Sequence, residues 1–285
     1  MLLGEHAVLH GRRALVCAIN KRITVSLSQI NQPLLRIVSD LGIYEAPLGG
    51  LADHPDFRFV LDAVRQYPLE QGIELKIESE FSSDIGFGSS AAVTVATHAT
   101  LMGPIPDRME LFKRSLATIH RVQGRGSGTD VAASVFGGVV AYRAEPLEIV
   151  PLKQSFPLTA VYSGSKMKTA DVIRYLEERR ALNADYFERI FDRMDTSIGE
   201  VIEDFSRLGR MMILNQKLME EMGLCNAALA EIIAGFQDAG TPAKISGSGL
   251  GDCAIGLGEF PISGRFSSYC LRVSEQGFVA FKAAV

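Results

Sequence analysis

The stretch Asp84-Ile85-Gly86-Phe87-Gly88-Ser89-Ser90-Ala91-Ala92 constrains this chain more than any other. Before it, Ile73-Glu74-Leu75-Lys76-Ile77-Glu78 alternates apolar and polar residues, the period of a half-buried strand. After it, Ala91 to Ala96 is a run of small residues without a breaker, which predicts a buried helix. The glycines and serines therefore form a strand-to-helix loop. Gly86 and Gly88 let the backbone turn sharply and approach a ligand. Ser89 and Ser90 fall where the first helical N–H groups have no intrahelical partner. Those donors, with the positive end of the helix dipole, suit an anion, most often a phosphate. A serine cap after a glycine turn is the plainer alternative. The spacing is that of neither a P-loop nor a dinucleotide-binding turn, so neither fold follows from it.

The totals say where such an anion would have to be held. The chain has 285 residues, 47% hydrophobic and 22% charged, an ordinary globular balance that allows one large or two medium domains. A net charge of -4 gives no general attraction to nucleic acid or anionic membrane, so anion binding must be local. No apolar run approaches the roughly 20 residues that span a bilayer, and the start has neither the basic nor the long apolar region of a signal peptide. Cys17, Cys225, Cys253 and Cys270 are far apart with no CxxC pair. This argues against a disulfide framework or zinc site and for reduced thiols in the cytoplasm.

Taken in order, Met1 to Leu3 read as the end of a strand. Gly4 to Gly11 is a turn carrying Glu5, His6 and His10. Strands are predicted within 13–20, 23–27, 34–38 and 43–46, then a helix over 57–64 capped by Asp56. Beyond the central loop and its helix, Pro104 and Pro106 precede a helix capped by Asp107. A second Gly-rich loop, Gly124 to Asp130, leads into a short helix over 131–136 and a strand over 139–142. Pro146 and Pro151 suggest a domain boundary near residue 150. The second half reads as a strand over 158–162, helical segments over 169–182, 184–208, 209–222 and 226–237, and strands over 243–246 and 253–257. A third Gly-rich loop, Gly247 to Asp252, joins those two strands. A helix capped by Ser263 and a last strand over 278–281 complete an α/β sandwich with a mainly antiparallel sheet.

Three segments now stand in order: Gly4-Glu5-His6-Ala7-Val8-Leu9-His10-Gly11, Ile85 to Ala92, and Lys244-Ile245-Ser246-Gly247-Ser248-Gly249-Leu250-Gly251-Asp252-Cys253. Together they resemble the GHMP kinases in order and approximate spacing over nearly the whole chain. The resemblance implies an α+β, two-domain fold. Residues 1–150 would be an ATP-binding domain like ribosomal protein S5 domain 2, and residues 151–285 a ferredoxin-like C-terminal domain. ATP and a small hydroxy acid would meet in the cleft between them. Gly86, Gly88, Ser89, Ser90 and Ala91 would hold the ATP phosphates, with Ser89 or Ser90 reaching Mg²⁺. Gly247, Ser248 and Gly249 would close the site with backbone amides. Asp130, in Ser127-Gly128-Thr129-Asp130, resembles the family's catalytic aspartate; a helix cap is its plainer role. Glu5, His6 and Thr169 would lie on the acceptor side, with His6 and Lys21 available for the acceptor's carboxylate.

Within the family the pattern is mixed. Gly4 to Gly11 looks like mevalonate kinases. His120 to Ala133, and Gly251-Asp252-Cys253, look more like phosphomevalonate kinases, where Arg121, Arg125, Lys166 and Lys168 could meet an added phosphate. Mevalonate is the preferred acceptor, phosphomevalonate the alternative; a non-catalytic nucleotide or metabolite sensor is the competing class. Two family positions depart. A lysine expected before the first motif would precede Met1: either the start is set too late or the first strand is lacking, which the abrupt start favours, or the enzyme works without that lysine. Ile119 stands where mevalonate kinases place a magnesium-binding glutamate, and isoleucine cannot bind a hard cation. Family members are often dimers, and helices over 184–222 could pack between two chains.

Overall fold

The computed structural model describes residues 1–82, 85–124, 126–260 and 265–281. They form two compact units, each discontinuous in sequence. One comprises 1–20, 85–86, 137–260 and 265–275; the other comprises 21–82, 87–124, 126–136 and 276–281.

The second unit is a four-stranded sheet with helices. Its strands are β2 (Ile23–Ile30), β3 (Leu34–Ser39), β4 (Gly42–Pro47) and β5 (Gly72–Ser79), in the order β2-β5-β3-β4. Only the β3–β5 pair is parallel. The alternation read from 73–78 is real: Ile73 and Leu75 are buried, while Lys76 and Glu78 face out. Arg36 fixes the register, pairing with Glu45 of β4 and Glu74 of β5, its neighbours on the two flanking strands. The buried face packs on α1 (Arg58–Val64) and α2 (Ser89–Met102) through Leu35, Ile37, Phe57, Val60 and Leu75. Each such side chain contributes about 1.5–3 kcal/mol on burial. Helices α3 (Arg108–Gln123) and α4 (Thr129–Phe136) complete the unit. Asp107 caps α3 as expected, accepting the Glu110 amide at 2.8 Å. Asp56 does not cap α1: Phe57 holds that position, and no side chain bonds the first amides.

The first unit holds two antiparallel sheets. In one, β1 (Ala14–Cys17), β6 (Val139–Arg143) and β7 (Glu148–Leu152) lie in the order β1-β6-β7. Leu3 bridges Leu15, so the first residues do continue a strand edge. The other sheet has β8 (Pro157–Tyr162), β9 (Ala243–Ser246), β10 (Cys253–Leu257) and β11 (Ser267–Arg272), in the order β11-β8-β10-β9. Helices α5 (Thr169–Leu182), α6 (Ala184–Glu203), α7 (Leu208–Glu221) and α8 (Ala227–Asp238) belong to this unit. Along α6, Phe187, Ile190, Phe191, Met194 and Ile198 recur at three and four and enter the core.

Three sequence expectations change. A single cut at 150 does not describe the packing, because Pro151 lies inside β7, paired with Val140 of β6. Residues 267–272 form a strand, not a helix; their register against β8 satisfies backbone groups that periodicity alone could not assign. The cap at Ser263 lies outside the described residues. No strand forms over 278–281. Among the described residues, no helix is long and apolar enough to cross a membrane.

Candidate active site

In the second unit the central loop ends at Gly88, the N-cap of α2, with φ +76°. No side chain bonds the first amides of that helix. The first intrahelical bond runs from the Ala92 amide to the Gly88 carbonyl at 3.0 Å, so the Ser89, Ser90 and Ala91 amides are spare. Among the described residues neither serine hydroxyl has a hydrogen-bond partner, and both serines are half-buried. The serine-cap alternative is therefore not what the structure shows. An uncapped helix start with two free hydroxyls suits phosphate oxygens and a hard cation that shares them.

Asp130 lies in the first turn of α4, one residue into the helix, and is exposed. A Cβ built on Gly88 would come within 3.5 Å of the Asp130 carboxylate. The carboxylate thus stands beside the glycine that opens α2, within ordinary contact distance of a Cβ there. Ile119 is buried on α3 at 6% exposure, a core residue. Arg121 is not a free cation: it donates to both oxygens of Asp62 and to Thr118. Arg125 lies outside the described residues.

In the first unit the acceptor-side residues have other partners. Glu5 is 1% exposed. One of its carboxylate oxygens accepts from the fully buried Lys244 ammonium, the other from the Asn215 amide at 3.0 Å. Asn215 in turn accepts the Gly4 amide at 3.2 Å. With both oxygens engaged inside the unit and almost no exposure, the Glu5 carboxylate has a structural role here. His6 follows in a tight turn, with φ +61° and ψ -45° and a 2.7 Å bond from the Ala7 amide to the Glu5 carbonyl. That is a γ-turn of the rare, strained hand, a conformation costing on the order of 1–3 kcal/mol. The His6 Nε2 is 2.8 Å from the Ser248 carbonyl; a carbonyl only accepts, so Nε2 carries the proton. Burial pulls the His6 pKa below its usual value, against the Ser248 bond and Glu5, which favour the charged form. The ring is therefore neutral, with Nδ1 left as an acceptor.

The third Gly-rich loop is anchored at two of its amides. The Leu250 amide donates to the Leu224 carbonyl and the Asp252 amide to the Ser165 carbonyl, both at 2.8 Å. The Ser248 hydroxyl is buried with no partner. Asp252 was missed by sequence reasoning as a site residue. Its φ is +60°, it is 8% exposed, and its carboxylate packs against Gly86. One carboxylate oxygen has no hydrogen-bond donor; the Lys166 ammonium is 4.0 Å away. Burial raises the Asp252 pKa, with Lys166 opposing. Cys253 donates its thiol proton to the Ile85 carbonyl at 3.1 Å, and burial pushes that thiol up to about 12. Thr169 begins α5 and is exposed; Lys168, not Thr169, is the N-cap residue. Lys244 and Asn215 were also missed. The one available signal was a lysine inside an apolar strand, Ala243-Lys244-Ile245.

Two family models match the chain: GHMP kinases N terminal domain over residues 57–138, and GHMP kinases C terminal over residues 196–261. A mevalonate kinase of Archaeoglobus fulgidus is 34% identical over 271 residues, covering 92% of this chain and 91% of that one. A mevalonate kinase of Saccharolobus solfataricus is 28% identical over 292 residues, covering 95% and 91%. Among solved structures, the Methanococcus jannaschii mevalonate kinase superposes with a TM-score of 0.82 at 21% identity, covering 95% of each chain.

Proposed function

This chain belongs to the GHMP kinase family, and from that premise we propose that it transfers the terminal phosphoryl group of ATP to the alcohol of mevalonate. It is an ATP-dependent kinase of the two-domain GHMP fold. The choice of mevalonate rests on relatives named for that activity across nearly their full length. The observation that carries the site assignment is the Asp130 carboxylate standing beside Gly88 at the uncapped start of α2.

In this mechanism the spare amides of Ser89, Ser90 and Ala91 hold phosphate oxygens through charge-assisted hydrogen bonds. The Ser89 and Ser90 hydroxyls would hold Mg²⁺, which neutralises phosphate charge when bound. Asp130 accepts the proton as the acceptor's alcohol oxygen bonds to the γ-phosphorus and the bond from that phosphorus to the bridging oxygen breaks, releasing ADP. Gly247, Ser248, Gly249 and Thr169 serve the acceptor, the loop through its backbone amides. His6 meets it with a neutral ring, a hydrogen-bond acceptor rather than a counter-ion. We also infer a cytoplasmic location, from the wide spacing of its four cysteines and the lack of a CxxC pair. We also assign it to a homodimer, on family precedent.

Phosphomevalonate remains the alternative acceptor, favoured by the exposed Lys166 and Lys168. ADP release measured with each acceptor decides between them. Turnover with mevalonate is expected; turnover with phosphomevalonate alone would reassign the substrate, and ATP binding without turnover on either would make the protein a sensor. Asp130→Asn is expected to lower kcat about 10²- to 10⁴-fold with ATP affinity kept. A variant that turns over normally would remove Asp130 from the mechanism.

A further inference from the structure

The first unit buries an ion pair that contributes little obvious stability. Lys244 is wholly inaccessible, Glu5 is 1% exposed, and Asn215 is inaccessible. The Lys244 ammonium also donates to its neighbour's carbonyl, Ile245. Burying two charges costs desolvation that their attraction only partly recovers, and well-packed apolar residues in their place are often as stable or more so. Such a pair is better explained by what it holds in place.

It holds the turn beside it. Glu5 supplies the carbonyl that closes the γ-turn, and its side chain is fixed from two elements: Lys244 from β9 and Asn215 from α7. Asn215 also takes the Gly4 amide, so the residue before the turn is fixed too. The residue forced into the strained conformation is His6, and its ring is aimed at the Ser248 carbonyl of the loop that follows β9. An unclamped chain would relax toward negative φ and carry the imidazole away from Ser248.

We propose that Lys244 is a positioning residue: through Glu5 it holds the strained turn that keeps the His6 ring on Ser248. It touches no substrate itself. The inference rests on the acceptor-side role proposed for His6, and it extends that role to a lysine and an asparagine outside the glycine loops.

The test is the double variant Glu5→Gln/Lys244→Met, which removes both charges while retaining the Asn215 bond and most of the volume. In the intact protein, ¹⁵N-edited spectra should show His6 as the Nε2-protonated neutral tautomer, titrating below the ordinary histidine range. The groups that face it are Glu5 and Glu177, which favour the charge, and His10, which opposes it. In the folded variant His6 should titrate near its ordinary value with both tautomers populated. KM for the acceptor should rise about ten- to a hundredfold, with KM for ATP unchanged. A folded variant with the wild-type His6 titration and acceptor KM overturns the proposal. Should the double variant not fold, Asn215→Ser removes only the bridge from Gly4 to Glu5. It should move the same two readouts in the same direction by less, and no movement overturns the proposal equally. Failure of the underlying reading looks different: His6→Ala would leave the acceptor KM unchanged while the His6 titration still shifted in the double variant.

Discussion

The loop from Gly86 to Ala91 and the loop from Gly247 to Asp252 look alike in composition, yet only the second is anchored through its own amides. The first ends in a helix start whose first amides have no partner among the described residues. The second turns between two strands of one sheet, and its Leu250 and Asp252 amides are already bonded to carbonyls of neighbouring segments. Leu250 and Asp252 both adopt positive φ, which their side chains tolerate only because those bonds pin them. The first loop is thus open at the start of a helix, and the second is braced at Leu250 and Asp252, with no bond from the Gly247, Ser248 and Gly249 amides among the described residues. Glycine is needed in both, for access in the one and for close packing in the other.

Four experiments can break or sharpen that contrast, from the largest effect expected to the smallest. The first loop depends on α2, and α2 carries a buried histidine. His98 bonds the Tyr67 hydroxyl through Nδ1 at 2.8 Å and the Thr118 hydroxyl through Nε2 at 3.0 Å. Burial, with Arg114 and Arg121 nearby, lowers its pKa to about 4, against Asp62. The folded value lies below the unfolded one, so this contribution is complete above pH 6.5 and fades as pH falls toward 4. It amounts to about 3 kcal/mol in all. Urea denaturation at pH 7 and pH 4.5 should show the loss, and His98→Gln should flatten it. An unchanged slope in His98→Gln would assign the acid sensitivity elsewhere.

Gly249 tests the braced loop. Its φ is +85°, and a Cβ there would meet the Leu224 carbonyl oxygen at 2.7 Å. Gly249→Ala should destabilise the protein by about 2–3 kcal/mol, seen as a lower melting temperature. Gly88→Ala should behave differently. It carries the same backbone penalty, about 1 kcal/mol, but its Cβ would sit at ordinary contact distance, 3.5 Å from Asp130. Its main effect should be weaker nucleotide binding, by about tenfold, measured by calorimetry with a non-hydrolysable ATP analogue. If the two alanines had interchangeable effects, the division of labour would be wrong.

The smallest effect is expected at Asp252. Its folded pKa is raised, so the folded state holds a proton the unfolded chain has lost, and stability falls as pH rises through that range to a constant penalty at neutral pH. Asp252→Asn keeps the shape and suits the positive φ. At pH 7 it should stabilise by on the order of 1 kcal/mol, and at pH 3 by little. A destabilised Asn variant at pH 7 would mean that Lys166 compensates the carboxylate better than its 4.0 Å separation suggests.

Much of the frame was legible in the residues. The alternation over 73–78, the small-residue helix after Gly88, the Asp107 cap and the three-and-four spacing of α6 are local properties, so sequence determined them. The family followed from three short segments in order. The nearness of Asp130 to Gly88 was an expectation that only α4 packing near α2 could deliver. Tertiary structure alone decided the rest. Nothing near Lys244 in sequence says that its partner lies 239 positions away. Nothing in Glu5 says that its carboxylate is consumed by that lysine and by Asn215, leaving His6 to face Ser248. Strand β11 read as a helix because its partner β8 is more than a hundred residues earlier. Short-range pattern sets most of the local elements; strands such as β11, and which buried charge meets which, are set by long-range closure, because only the folded chain brings such groups out of water together.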